Sequence, residues 1–389
     1  MSISGGDEKS SYFFSAQHID RTGVTPKDEY SRNNFRFNAS RQGDKFKAMT
    51  SVSYVDDKTD VAGASPSAGS FYRILLNTPG HIPITDYKNW RTDKYANPNN
   101  YFNAYFKNPY QVIDQNRDTS NSNRLQGIAN IEYQVNDWIT AAYNVGLTTF
   151  NSTFKNTQEA FTYDPTLTYT RPADEVNAVA DGVDNNFRLN SDLFVTFDKQ
   201  INDDFSAKLI VGTHVEAFKS KRVRIGGNNL YTNSIFNVGV RSGELTGAER
   251  TTQKRLWAYF GDLTLGFRDF LYLTGTYRQD TSSTLPVENN SYGYYSGGLS
   301  FVATSAFPSL KGGVLDYLKF NASYAKVGND AEIGRINEVF ITPGDPTAEP
   351  NSTSSQFPFG TTVGIRPSTV AIDPNLSPSF QPRLKQVLT

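Results

Sequence analysis

From residue 318 to 329 the chain alternates strictly. Leu318, Phe320, Ala322 and Tyr324 fall on one side, and Lys319, Asn321 and Ser323 fall on the other. Side chains alternate across a strand, whereas an amphipathic helix groups its apolar residues at spacings of three and four. The run is therefore a β-strand with one apolar and one polar face. The pattern recurs along the chain. Phe35, Phe37 and Ala39 alternate with Arg36, Asn38 and Ser40, and Phe187, Leu189, Leu193, Val195 and Phe197 with Arg188, Asn190, Asp192, Thr196 and Asp198. Leu209, Val211, Thr213 and Val215 alternate with Lys208, Ile210, Gly212, His214 and Glu216, and Trp257, Tyr259, Leu263, Leu265 and Phe267 share a face. Such runs approach the ~9–11 residues that a tilted strand needs to cross a bilayer core.

The strand-like runs lie at about 11–19, 34–41, 46–55, 125–135, 138–150, 187–198, 208–216, 257–267, 270–283, 292–301 and 318–328, giving about eleven strands. Short connections such as Gln42–Lys45, Asn136–Asp137 and Arg268–Asp269 alternate with long ones. The longest, 56–123, carries Pro66, Pro79, Pro83, Pro98 and Pro109 and reads as loop. Sorting of short turns to one rim and long loops to the other is the mark of a transmembrane antiparallel β-barrel. The chain is 389 residues long and 13% aromatic, with a mean hydropathy of −0.51. That combination suits a barrel, whose apolar residues alternate and never accumulate into a spanning helix. A net charge of −1 leaves no basic excess for nucleic acid, and the absence of Cys excludes disulfides and thiolate chemistry.

Three motifs stand out, Arg278-Gln-Asp-Thr-Ser-Ser283, Asn289-Asn-Ser-Tyr-Gly-Tyr-Tyr295 and the run from Leu318 to Asn329. In that order they resemble the barrel of SusC/RagA-type TonB-dependent outer-membrane transporters. Arg278, Asp280, Ser282 and Ser283 match that family's Arg-x-Asp-x-Ser-Ser strand end, and Asn289, Tyr292, Gly293, Tyr294 and Tyr295 match the strand entry that follows. Leu318, Lys319, Ser323, Tyr324, Gly328 and Asn329 match a third. Tyr12, the turn at 20–23 and the strand around Arg32, Asn34, Phe35 and Arg36 are similar as well. The resemblance implies import of large nutrients, oligosaccharide or peptide, with a SusD-like surface lipoprotein over the barrel and the TonB complex supplying energy. No cofactor is implied.

An odd strand number, an amino terminus without a basic segment and apolar core, and no stretch resembling the family's plug lead us to expect a partial barrel domain over 1–389. It carries the long extracellular loop 56–123 and a loop-rich tail at 329–389. Two other readings stay open: a passive outer-membrane porin, and a secreted all-β carbohydrate-binding or adhesin protein.

Catalysis finds no support, since His18, His81 and His214 are scattered and no nucleophile or phosphate motif occurs. The long loop gathers Tyr87, Trp90, Tyr95, Tyr101, Phe102, Tyr105 and Phe106. These rings either contact substrate or a partner protein, or pack the loop upon itself as a small cap. Lys219, Lys221, Arg222 and Arg224 are read as leaving the outer leaflet, where they either meet lipopolysaccharide phosphates or form a solvated loop base. Trp138, Trp257, Tyr259, Tyr317 and Tyr324 suit membrane-interface aromatics. The acidic runs at 56–60 and 181–186 lack EF-hand spacing, so no metal site is expected.

Overall fold

The computed structural model describes residues 1–63, 71–103, 106–166, 174–312, 315–336, 340–341, 366–367 and 372–388. One antiparallel sheet of thirteen strands follows chain order: β1 (Ser2–Gly6), β2 (Ser10–Thr22), β3 (Glu29–Gln42), β4 (Phe46–Ala62), β5 (Asn116–Asn136), β6 (Ile139–Gln158) and β7 (Ala178–Gln200). It continues through β8 (Phe205–Asn228), β9 (Thr246–Phe267), β10 (Leu271–Ser282), β11 (Ser291–Val302) and β12 (Lys319–Asn329). A two-residue ladder of β13 (Phe340–Ile341) and β14 (Arg366–Pro367) stands apart, and β15 (Ser379–Leu388) then pairs with β12.

Thirteen strands replace the eleven expected. The first addition is β1, whose Ser-Ile-Ser-Gly-Gly sequence is too short and small to show alternation. The second is β15, inside the stretch read as a loop-rich tail. There Phe380, Pro382 and Leu384 alternate with Gln381, Arg383 and Lys385. Pro382 argues against a central strand, but among the described residues β15 is an edge, where a missing N–H costs least.

The strands also run further than alternation reveals. Within the 56–123 stretch, β4 continues to Ala62 and β5 begins at Asn116, so the connection is 63–115 and holds helices α1 (Phe71–Leu76) and α2 (Pro109–Gln115). Similarly, β8 carries Lys219 through Arg224 as strand rather than loop base. Long and short connections do alternate, with one exception. The 303–318 link on the short-turn rim is sixteen residues and contains α3 (Ala303–Ala306).

Register assigns the faces. Phe205 lies opposite Phe267, Leu271 opposite both Phe267 and Phe301, and Phe301 opposite Phe320. Ring contacts run through Phe205, Phe267, Phe270, Phe301 and Phe307, forming an aromatic belt at the short-turn rim. A second belt, Trp257, Tyr259, Tyr277, Tyr295 and Tyr324, is exposed on the same face toward the long loops. From Trp257 to Phe267 the strand rises ~33 Å, or ~25 Å along the normal at a tilt of ~40°, the height of the apolar band of outer-membrane barrels. The opposite face carries Asn34, Asn38, Asn130, Asn144, Asp192 and His214, cross-bonded by pairs such as Asn130 to Asn144 at 2.7 Å and His214 with Asp192 at 2.7 Å. It is the polar, inward face.

Candidate functional site

Above the second belt the inward face of β5 to β9 forms a groove of about 490 Å3. Asn116, Asp118, Asn156, Gln158, Asn228 and Glu244 supply its polar lining. Strand parity places Asp118, Asn156 and Gln158 on the face that carries Asn130 and Asn144 lower down. The Asn156 amide donates to Asp118 at 2.5 Å, so two of the lining side chains are bonded to each other. Gly226 and Gly227 also line it, where a β-carbon would meet Val179 O at 3.2 Å and collide with the Arg241 side chain. Carboxamides both donate and accept, so such a lining reads a polar oligomer by hydrogen bonds, with carboxylates for a cation.

The sequence reading missed these groove residues for a physical reason. Once strands rise past the bilayer both faces become polar, and alternation no longer separates inside from outside.

Three loops cover the rim. The β4–β5 connection packs Phe71 and Ile74 of α1 on Val112 and Ile113 of α2. Trp90 donates to Asp114 at 3.0 Å, and Lys27 in the β2–β3 turn reaches the same carboxylate at 2.7 Å. Lys107, 1% exposed, pairs with the equally buried Glu175 of the β6–β7 connection. Burial pushes the Lys107 ammonium below its usual range, and Glu175 opposes that. Asn177 binds the backbone of Leu230 and Thr232 in the β8–β9 connection. The connections are one cross-bonded layer.

Within that layer the loop aromatics largely meet one another. Tyr87 stands edge-on to Tyr101 at 4.8 Å, Tyr101 lies 4.7 Å from Phe102, and Trp90 faces Phe161 at 6.2 Å. Burial pushes the Tyr101 phenol up to about 12. Phe106 lies beneath Arg73, whereas Tyr95 is 74% exposed. Tyr105 lies outside the described residues.

The basic cluster divides by face. Lys219 and Lys221 point outward with Leu209, Val211 and Val215. Arg222 points inward, paired with Asp184 at 2.6 Å, and Arg224 covers the inward Phe154 ring at 4.5 Å. Trp138 contacts Phe197 at the short-turn rim, where Tyr317 also lies just before β12.

Residues of the first two motifs form inward bonds with one another and with Asp330, which directly follows the third. Arg278 donates to Asp280 at 2.6 Å, and the Tyr294 hydroxyl reaches the other Asp280 oxygen at 3.0 Å. Ser282 and Lys254 hold Asp330 at 2.6 and 2.7 Å. Burial raises the Asp330 carboxyl, but Lys254 and Ser282 outweigh it and hold it below the usual range.

Compared with known proteins, the chain matches no family model. It is 22% identical over 355 residues to TonB-dependent receptor P39 of Formosa agariphila, covering 88% of this chain and 31% of that protein. Among solved structures, it superposes over its whole length on the RagAB peptide transporter, with a TM-score of 0.75 at 16% identity. The closed-closed state of the RagAB peptide importer gives 0.74 at 14%. The fold is that of a TonB-dependent receptor barrel of the RagA type. The chain spans 41% of the length of those RagAB chains. In this receptor fold the apolar face meets the outer membrane and the inward face lines the lumen.

Proposed function

We propose that these strands are wall, lumen surface and extracellular loops of a TonB-dependent nutrient importer, whose substrate is a peptide captured first in the groove of β5 to β9. A single observation carries this reading: the groove is lined by carboxamides and two carboxylates, and none of its lining residues is aromatic. Saccharide sites rely on ring stacking, whereas peptide backbones need paired donors and acceptors. The RagAB structures, described as peptide importers, support the same class. A SusD-like lipoprotein over the loop layer and TonB coupling through a plug domain outside these residues complete the proposed machine. No bond is made or broken in transit, so no catalytic residue is assigned.

The test is uptake of labelled peptides by cells carrying the protein, with and without a protonophore. Energy-dependent uptake, lost on deletion of the gene, supports the importer. Uptake that survives the protonophore is that of a passive pore and overturns the reading. Asp118→Asn with Glu244→Gln, removing both carboxylates, is expected to lower uptake of lysine-containing peptides roughly tenfold, with neutral peptides less affected.

A further inference from the structure

The outward face of β8, β9 and β10 holds a separate groove of about 590 Å3 at the height of the upper aromatic belt. Val215, Ala217, Trp257, Thr281 and Ser283 line it, with Arg255 at its upper end. Its shape follows from side-chain size, since Ala217 on one flank and Thr281 and Ser283 on the other leave the β9 ridge standing free. Trp257 is fixed, donating its indole N–H to Thr213 at 3.0 Å, and the Arg255 backbone N–H donates to Ser283 at 2.9 Å.

Arg255 lies two residues above Trp257, ~5 Å higher along the normal, which is headgroup level when Trp257 marks the edge of the hydrocarbon. Register sets Ala217 opposite Arg255 and Lys219 opposite Gln253, so Lys219 is the diagonal neighbour of Arg255, ~7–8 Å away. Lys221 follows on the same face but is engaged by Glu249 at 3.2 Å. Neither Lys219 nor Arg255 has an ion-pair partner among the described residues, in contrast to Arg222, Lys221 and Lys254 around them.

We propose that this groove binds a phosphorylated glycolipid of the outer leaflet. An acyl chain lies along Val215 and Ala217 against Trp257, and a headgroup phosphate sits between Lys219 and Arg255. Two unpaired cations directly above an apolar channel match an amphiphile with an anionic head, and neither half alone explains the other. The site faces away from the lumen and is independent of the imported substrate.

The test uses the full protein extracted from its own outer membrane, with lipid counted by native mass spectrometry. The probes are lipid A bearing its phosphates, the same lipid A after phosphatase treatment, and inorganic phosphate. Phosphorylated lipid A should be retained, and Lys219→Gln with Arg255→Gln should weaken it roughly 30-fold, at about one order of magnitude or less per cation. Ala217→Trp, which fills the channel and keeps both cations, should displace the lipid as well. Glu249→Gln, which frees Lys221, should not weaken retention. Heat-modifiable mobility on gels reports folding of each variant. Equal retention of the two lipid A forms, unchanged retention in the double variant, or complete displacement by millimolar inorganic phosphate overturns the proposal.

Discussion

At the residue scale, the β9–β10 turn is the most legible and the most strained point. Arg268 and Asp269 both adopt positive φ, 47° and 54°, in the three-residue connection 268–270 between the paired Phe267 and Leu271. Gly takes positive φ without the steric cost that a β-carbon brings, so Asp269→Gly is expected to stabilise the protein by about 0.5–1 kcal/mol, measured by urea unfolding in lipid vesicles. Arg268 stays because it reaches the neighbouring turn, bonding Asp204 at 2.7 Å, and that bond holds the Asp204 carboxyl below its usual range. Lowered in the fold, Asp204 contributes to turn stability above the ordinary carboxylate value of ~4 and loses that contribution as pH falls through its folded value. Protection of the amides at the two turns, taken relative to their intrinsic exchange rates, should therefore fall in acid, and Asp204→Asn should abolish that fall. The turn was readable because short connections force local chemistry. The Asp204 link was not, because two turns far apart in sequence meet only when β8 and β9 pair.

Among the elements, strands crossing the bilayer were readable from alternation, since lipid on one side and water on the other impose opposite chemistries. The loop layer was not, because its order rests on contacts between connections. Lys107 looks like an ordinary loop cation in sequence, yet it is buried against Glu175 of another loop. Lys107→Met leaves that carboxylate without its cation, and the expected cost to the layer is about 3–5 kcal/mol, seen as faster proteolysis of the loops. The motif residues show the converse. Their spacing was visible, but that Arg278, Asp280, Ser282 and Tyr294 share inward bonds, and that Asp330 joins them, follows only from the pairing of β10 with its neighbours. Asp330→Asn is expected to weaken the hold of Lys254 on the end of β12, read as faster amide exchange at residues 328–330.

For the whole molecule, the decisive property is that one face is solvated by lipid. Leu263 points outward between the two aromatic belts, and Asp262 beside it points inward. Leu263→Arg is expected to cost about 2–4 kcal/mol in vesicle-based unfolding, whereas Asp262→Arg should cost far less. Reversed costs would invert the assignment of faces on which both proposed sites depend.

The wall is also uneven in height. Strands β5 to β9 are 20–24 residues long, while β10, β11 and β12 are 11–12. Ten extra residues lift one side by ~25 Å at the same tilt, like a parapet beside a low sill. In the proposed importer, cargo passing beside the shorter strands meets the inner surface of the tall ones first. On that reading the tall strands are a backstop, and the groove of amides and carboxylates lies on their inner surface.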